Sequence, residues 1–183
     1  MVLWSDHGQS FGEKRTYRKM SLWEESTRVP LYIVTPESKG GTNCKQAVSL
    51  LDIYPTLLDL CQLPLAEHLD GRSLKPLLDN PSQEWDYPTL ISWRYQNYAV
   101  RSNNFRYIQY RDGSEELYDH TKDPDEFNNV AHDAAYSTQV EWHRQHIPQA
   151  TALPVGVSEW NGDEIDARIE EWKTQNNMPE WLK

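Results

Sequence analysis

The chain has 183 residues, with 28 acidic side chains against 18 basic ones and a formal net charge of −10. That length suffices for one domain of ordinary size with a buried core. The acidic balance argues against nucleic acid as a partner and gives no reason to expect a membrane surface, and no stretch approaches the length of a membrane span.

Val2–Trp4 reads as a short buried strand of the kind found in a mostly parallel sheet covered on both faces. No secretory leader pattern is visible ahead of it. Directly after it, Asp6, His7 and Gly8 put a carboxylate and an imidazole side by side on a glycine-bearing turn. Asp6 is a hard oxygen ligand, and His7 can offer a ring nitrogen or a hydrogen bond. Lys14, Arg15, Arg18 and Lys19 follow within one short segment, opposing the global charge, so they would draw in an anion that the rest of the surface repels. This is an anion-binding metal site in outline, but an incomplete one. Ca²⁺ takes six to eight ligands and Mg²⁺ about six, so any ion here draws the remainder from elsewhere.

Residues 21–25 predict a helical turn and 28–36 a strand, bounded by Pro30 and Pro36. Residues 37–42 form a turn by composition. In 47–63 the apolar residues Val48, Leu50, Leu51, Tyr54, Leu57, Leu58 and Cys61 fall at helical spacing, which predicts a core-facing helix kinked or restarted at Pro55. Cys44 and Cys61 read as buried free thiols rather than a disulfide framework. Residues 63–81 are a connection with a turn at 70–73, an apolar patch at 74–78 and a surface histidine, His68. From 89 the pattern changes: short β-rich runs at 89–93, 98–101, 105–110 and 116–119, joined by Asn and Gly turns, predict an antiparallel meander. Trp93, Arg94 and Tyr95 sit at a strand end and read as a structural edge. Residues 123–126 look like a helix start, and 134–146 supply a helix packed on the sheet. Residues 148–162 are irregular, and 163–176 carry Ile165, Ile169 and Trp172 at helical spacing, with acidic residues early and Lys173 late.

Several of these stretches together carry a family resemblance. Leu3-Trp4-Ser5-Asp6-His7-Gly8, then Phe11-Gly12-Glu13-Lys14, then the run from Lys19 through Glu24-Glu25-Ser26-Thr27-Arg28 to Leu31 resembles the second metal-binding motif of formylglycine-dependent sulfatases, in the alkaline-phosphatase-like superfamily. The similarity is closest to the iduronate-2-sulfatase-like bacterial group. Residues 52–61 with Leu69-Asp70-Gly71-Arg72-Ser73-Leu74 resemble the helix and loop that follow that motif. Residues 98–101 and 116–131 resemble the family's C-terminal subdomain.

The resemblance implies roles residue by residue. Asp6 would be a Ca²⁺ ligand (Mg²⁺ being the alternative), and His7, where many sulfatases have Asn, a second ligand or a hydrogen-bonding neighbour. Lys19 falls at the position of the lysine that contacts the sulfate and stabilises the leaving oxygen, a role suited to a cationic head. Gln9, Arg18 and Met20 would line the pocket near the sugar. The resemblance also shows a departure: neither Cys44 nor Cys61 lies in the Cys/Ser-x-Pro/Ala-x-Arg pattern that is oxidised to formylglycine, and the paired Asp ligands of the family's N-terminal region are missing. The formylglycine is therefore expected in an N-terminal portion that this chain lacks.

The expected architecture is α/β: part of a sulfatase-like mixed or parallel sheet with flanking helices over 1–88, a small antiparallel β subdomain with a packed helix over 89–147, and a tail with a C-terminal helix over 148–183. The implied activity of the complete protein is hydrolysis of sulfate esters on a carbohydrate, in the periplasm or outside the cell. An N-terminal sulfatase portion, or a partner chain, would cover the exposed first strand. A phosphate or phosphonate monoester hydrolase and a non-catalytic binding module that has lost the nucleophile are the alternatives.

Overall fold

The computed structural model describes residues 1–38, 40–149 and 162–175. Strand β1 (Val2–Trp4) pairs antiparallel with β4 (Leu31–Ile33), with Leu3 opposite Tyr32. Between them the chain makes a two-residue ladder of β2 (Ser10–Phe11) with β3 (Tyr17–Arg18) and a single-turn helix α1 (Glu24–Thr27). The expected burial of β1 is not met: Leu3, Trp4 and Tyr32 face solvent. A two-stranded ladder covers neither of its own faces, so alternating apolar side chains stay wet unless another layer is laid on them.

Residues 47–63 form two pieces. A 3₁₀ turn at Leu50–Asp52 is closed by a reciprocal cap, in which Leu51 N donates to Ser49 Oγ (3.2 Å) and Ser49 N donates to Asp52 Oδ2 (2.8 Å). Helix α2 (Ile53–Leu60) then starts, with Pro55 in its first turn, where the missing N–H costs nothing. The helix is less core-facing than its spacing predicts. Pro55 and Thr56 are buried, while Leu51, Tyr54 and Leu57 are exposed. Cys44 and Cys61 are free and exposed, which corrects the expectation of buried thiols: both lie outside the packed layers. Loop 70–73 docks on the 3₁₀ turn through Arg72 N, which donates to Asp52 Oδ1 (2.8 Å). Gly71 is required there because a Cβ would stand 2.1 Å from Leu51 O. Leu74 N donates to the buried Thr56 Oγ1 (2.8 Å) and leads into α3 (Lys75–Asp79).

The predicted meander is present as a four-stranded antiparallel sheet in the order β5 (Thr89–Ser92), β6 (Tyr98–Arg101), β7 (Phe105–Gln109), β8 (Glu115–Asp119). Its middle strands are buried on both sides. One face packs Ala99, Ile108 and Tyr118 against Leu22 of the N-terminal segment; the other packs Val100, Tyr107 and Leu117 against Val140. Val140 belongs to α4 (Ser137–Arg144), which follows a 3₁₀ turn capped by Asp133, whose Oδ1 accepts from Ala135 N (2.9 Å). Residues 123–126 are a turn and not a helix start. Glu126 adopts φ 57° and turns its side chain into the interior, which a helical backbone there would not permit. Helix α5 (Gly162–Thr174) agrees with the periodicity of 163–176. The expectation for 148–162 falls largely outside the described residues, as do residues 176–183. No helix among the described residues is long and apolar enough to cross a membrane.

Candidate active-site loop and its supporting charge cluster

The chain leaves β1 into Asp6-His7-Gly8, and Gly8 is seated directly on α1. Its N–H donates to Ser26 O (2.9 Å), and a Cβ at this position would lie 2.0 Å from Glu25 O. Only glycine permits that approach. His7 Nδ1 donates to Gly8 O (2.7 Å), which leaves the Nε2 lone pair as an acceptor, and Lys19 Nζ donates to it (2.7 Å). Asp6 Oδ2 lies 3.7 Å from the same nitrogen, with the Asp6 side chain 82% exposed. Three of the residues singled out in the sequence thus converge on one point.

Gln9 is brought beside Lys19 through the register of the small ladder, and Arg18, the last residue of β3, precedes Lys19. Ser10 pairs with Arg18, so Gln9 and Lys19 extend from the same end of β2 and β3. Gln9, Arg18, Lys19 and Met20 are all exposed. The cationic cluster is divided, however. Lys14 folds back over the rings of Trp23 (4.5 Å) and Tyr118 (4.0 Å), where burial lowers its pKa, and Arg15, Arg18 and Lys19 stay in solvent. Lys14, Arg15 and Arg18 all have positive φ (51°, 58° and 81°), conformations that cost a side chain about 1 kcal/mol or more each and persist where surrounding structure demands them.

The second constellation escaped the sequence reading. Arg106, on β7, is 1% exposed. It donates to Glu126 Oε1 (2.6 Å), to Leu22 O (2.9 Å) and to the Glu24 carboxylate. Arg101 Nε also donates to Glu24 (3.1 Å). Burial alone would raise the pKa of Glu24, but the two guanidiniums outweigh it and hold the carboxyl at about 2. His120 completes the group: its Nε2 donates to Glu126 Oε1 (2.8 Å) and its Nδ1 accepts from Arg101 (2.9 Å). Glu24, His120 and Glu126 bring ligand-type atoms within 4.8 Å of one another, as a metal site does. The guanidinium hydrogens already occupy their lone pairs, so the cluster is an ion-pair network rather than a cation site. One signal could have revealed it: Arg106 breaks the apolar run Phe105-Arg106-Tyr107-Ile108 in the middle of a strand, where an unpaired charge would be costly.

Comparison with known proteins gives this geometry its context. Residues 12–151 match the family profile described as N-sulphoglucosamine sulphohydrolase, C-terminal. A sulfatase of Formosa agariphila is 36% identical over 152 residues, covering 83% of this chain and 30% of the relative. Arylsulfatase K of Homo sapiens is 38% identical over 142 residues, 69% of this chain and 26% of the relative. The chain therefore spans under a third of the length of these curated relatives. Among solved structures, BT4656, determined in complex with its substrate D-glucosamine-2-N,6-O-disulfate, is 29% identical with a TM-score of 0.66, covering 79% of this chain and 32% of that one. The phosphonate monoester hydrolase of Agrobacterium radiobacter is 28% identical with a TM-score of 0.66, covering 79% and 33%. The chain belongs to the sulfatase family and corresponds to its C-terminal part.

Proposed function

We propose that the complete protein hydrolyses sulfate esters of a carbohydrate, and that this chain supplies Lys19, Asp6 and His7 to the site. The supporting observation is the convergence of Lys19 Nζ and Asp6 Oδ2 on His7 Nε2, at 2.7 and 3.7 Å. An ammonium has three N–H donors. One is held by His7, and two remain to meet the anionic oxygens of a sulfate and the bridging oxygen on which charge builds as the ester bond breaks. Such a donor is worth about 10²–10³ in rate where it meets developing charge. Gln9 and Arg18, at the same end of the ladder, would contact the sugar. The relative BT4656, with its disulfated glucosamine, favours a sulfated saccharide as the substrate class.

Ca²⁺ is the expected metal, with Mg²⁺ as the alternative. Asp6 Oδ2, at the exposed rim, is the side-chain ligand this chain would offer; the Nε2 lone pair of His7 accepts from Lys19 Nζ, so His7 would be the hydrogen-bonding neighbour that holds the lysine beside the ion. Asp6 is one of the six or more ligands such an ion needs, so the others would come from the N-terminal portion of the protein. When bound, the ion supplies positive charge against the sulfate. Neither cysteine fits a formylglycine position: both lie outside the required pattern, and nothing places either beside Lys19. The nucleophile, too, would come from the N-terminal portion, whose sheet would also cover the exposed face of β1 and β4. Export to the periplasm or beyond the cell fits such a substrate.

The test is turnover of an aryl sulfate and an aryl phosphonate, with Ca²⁺ calorimetry alongside. On the 183-residue chain alone, Ca²⁺ binding weaker than millimolar and no turnover are expected. When the chain is joined to a nucleophile-bearing N-terminal portion, sulfate ester turnover should appear and Lys19→Met should lower it by about 10²-fold or more. A Lys19→Met protein with unchanged turnover would refute the assignment. Preference for the phosphonate would favour the second reading, which the likeness to the Agrobacterium radiobacter hydrolase supports.

A further inference from the structure

We infer that Glu24 is a positioning residue for Lys19 and His7, so that the distant meander sheet sets the geometry of the candidate site. The consequence for turnover rests on the sulfatase reading above; the positioning itself does not. Helix α1 is where the two loops of the site meet. Ser26 O receives Gly8 N–H (2.9 Å), which seats the Asp6-His7-Gly8 turn. Ser26 Oγ receives Ser21 Oγ–H (2.7 Å), two residues after Lys19, and lies 3.4 Å from Ser10 Oγ at the base of the ladder. Both Ser10 and Ser26 are buried.

A four-residue helix has no stability of its own. This one is held from its other side. Glu24 N donates to Glu126 Oε2 (2.9 Å), Arg101 Nε and Arg106 Nη2 hold the Glu24 carboxylate, and Arg106 Nη1 fixes Leu22 O (2.9 Å). The partners come from β6, β7 and the turn after β8, 77 to 102 residues away in sequence. Lys19 is three residues upstream of the clamped Leu22 carbonyl, and Gly8 is bonded two residues downstream of the clamped Glu24. The contact between Lys19 Nζ and His7 Nε2 therefore joins two loops that share one support. If α1 tilts, both loops shift, and a long lysine side chain need only swing away to break the contact.

The experiment is nitrogen-15 NMR of the His7 imidazole in the full chain, with E24Q, E24D and Lys19→Met. Lys19→Met defines the Nε2 shift of an imidazole without its donor. E24Q should move His7 Nε2 at least half-way to that value while the Tyr107 and Ile108 amide signals stay native-like. Glutamine keeps the shape but loses the charge that the two guanidiniums hold. E24D, with its charge kept but its carboxylate withdrawn by one methylene, should produce a smaller shift in the same direction and serves as the test if E24Q does not fold. A folded E24Q or E24D protein whose His7 Nε2 signal equals the wild type overturns the inference. Turnover of the complete enzyme is measured separately. E24Q should lower kcat by about 10²-fold with KM within about twofold. If the NMR signal moves as expected but the wild-type enzyme turns over no sulfate ester, the positioning stands and the sulfatase reading fails.

Discussion

Lowering the pH from 7 to 5 should weaken the fold by about 2 kcal/mol through one residue, His143. His143 lies on the inner face of α4, with its Nδ1 donating to Gln139 O (2.6 Å) and its Nε2 accepting from Ser102 Oγ (2.9 Å). The neutral ring is thereby fully satisfied, with Trp142, Phe105 and Tyr107 around it. Burial disfavours the cation, Arg101 and His146 add to the effect, and the pKa falls from 6.5 to about 4. A depressed folded-state pKa means that the unfolded chain binds the proton first. The contribution is thus fully present above pH 6.5 and is lost progressively as pH falls toward 4. By linkage the loss reaches about 2 kcal/mol at pH 5, where most carboxylates are still ionised. Urea unfolding of the wild type and of His143→Gln, measured at half-unit steps from pH 7.5 to 5, isolates the effect. The stability gap between the two proteins should shrink by about 2 kcal/mol across that range. A gap that stays constant with pH would show that His143 titrates alike in the folded and unfolded chain, and a gap that widens would show that the fold holds it charged; either would refute the argument.

Other perturbations follow from the same geometry. Arg106→Met leaves Glu24 and Glu126 buried without their main counter-charge and should cost about 3–5 kcal/mol, read as a lower urea midpoint. Leu22→Ala, at 1% exposure between the N-terminal segment and the sheet, should cost about 2–5 kcal/mol in the same assay. Gly8→Ala must displace α1 or the turn, because its Cβ would sit 2.0 Å from Glu25 O; the His7 signals should change while the meander amides do not. Cys44 and Cys61, both exposed, should react with a thiol reagent in the native protein at rates close to those of a free peptide. Slow reaction without denaturant would show that either is covered.

The sequence by itself determined much of the local structure. The meander was legible because its strands alternate with Asn and Gly turns, and α5 because its apolar residues recur at helical spacing. Asp6 and His7 could be named because they stand side by side in the chain just ahead of a cluster of cations, whereas the choice of Lys19 among those cations came from the family resemblance. Three features depend on what lies across space, and only the tertiary structure decided them. The exposure of β1 and of α2 reflects which layers are present to cover them, which periodicity does not encode. The turn at 123–126 has the composition of a helix start, but Glu126 is drawn inward by Arg106 and His120, and that buried ion pairing overrides the local preference. The Glu24 clamp joins residues 77 to 102 positions apart, and its members are ordinary charged residues until folding places them beside one another in the interior. There the loss of solvent makes each charge depend on its partner, and this dependence ties the candidate site to the sheet.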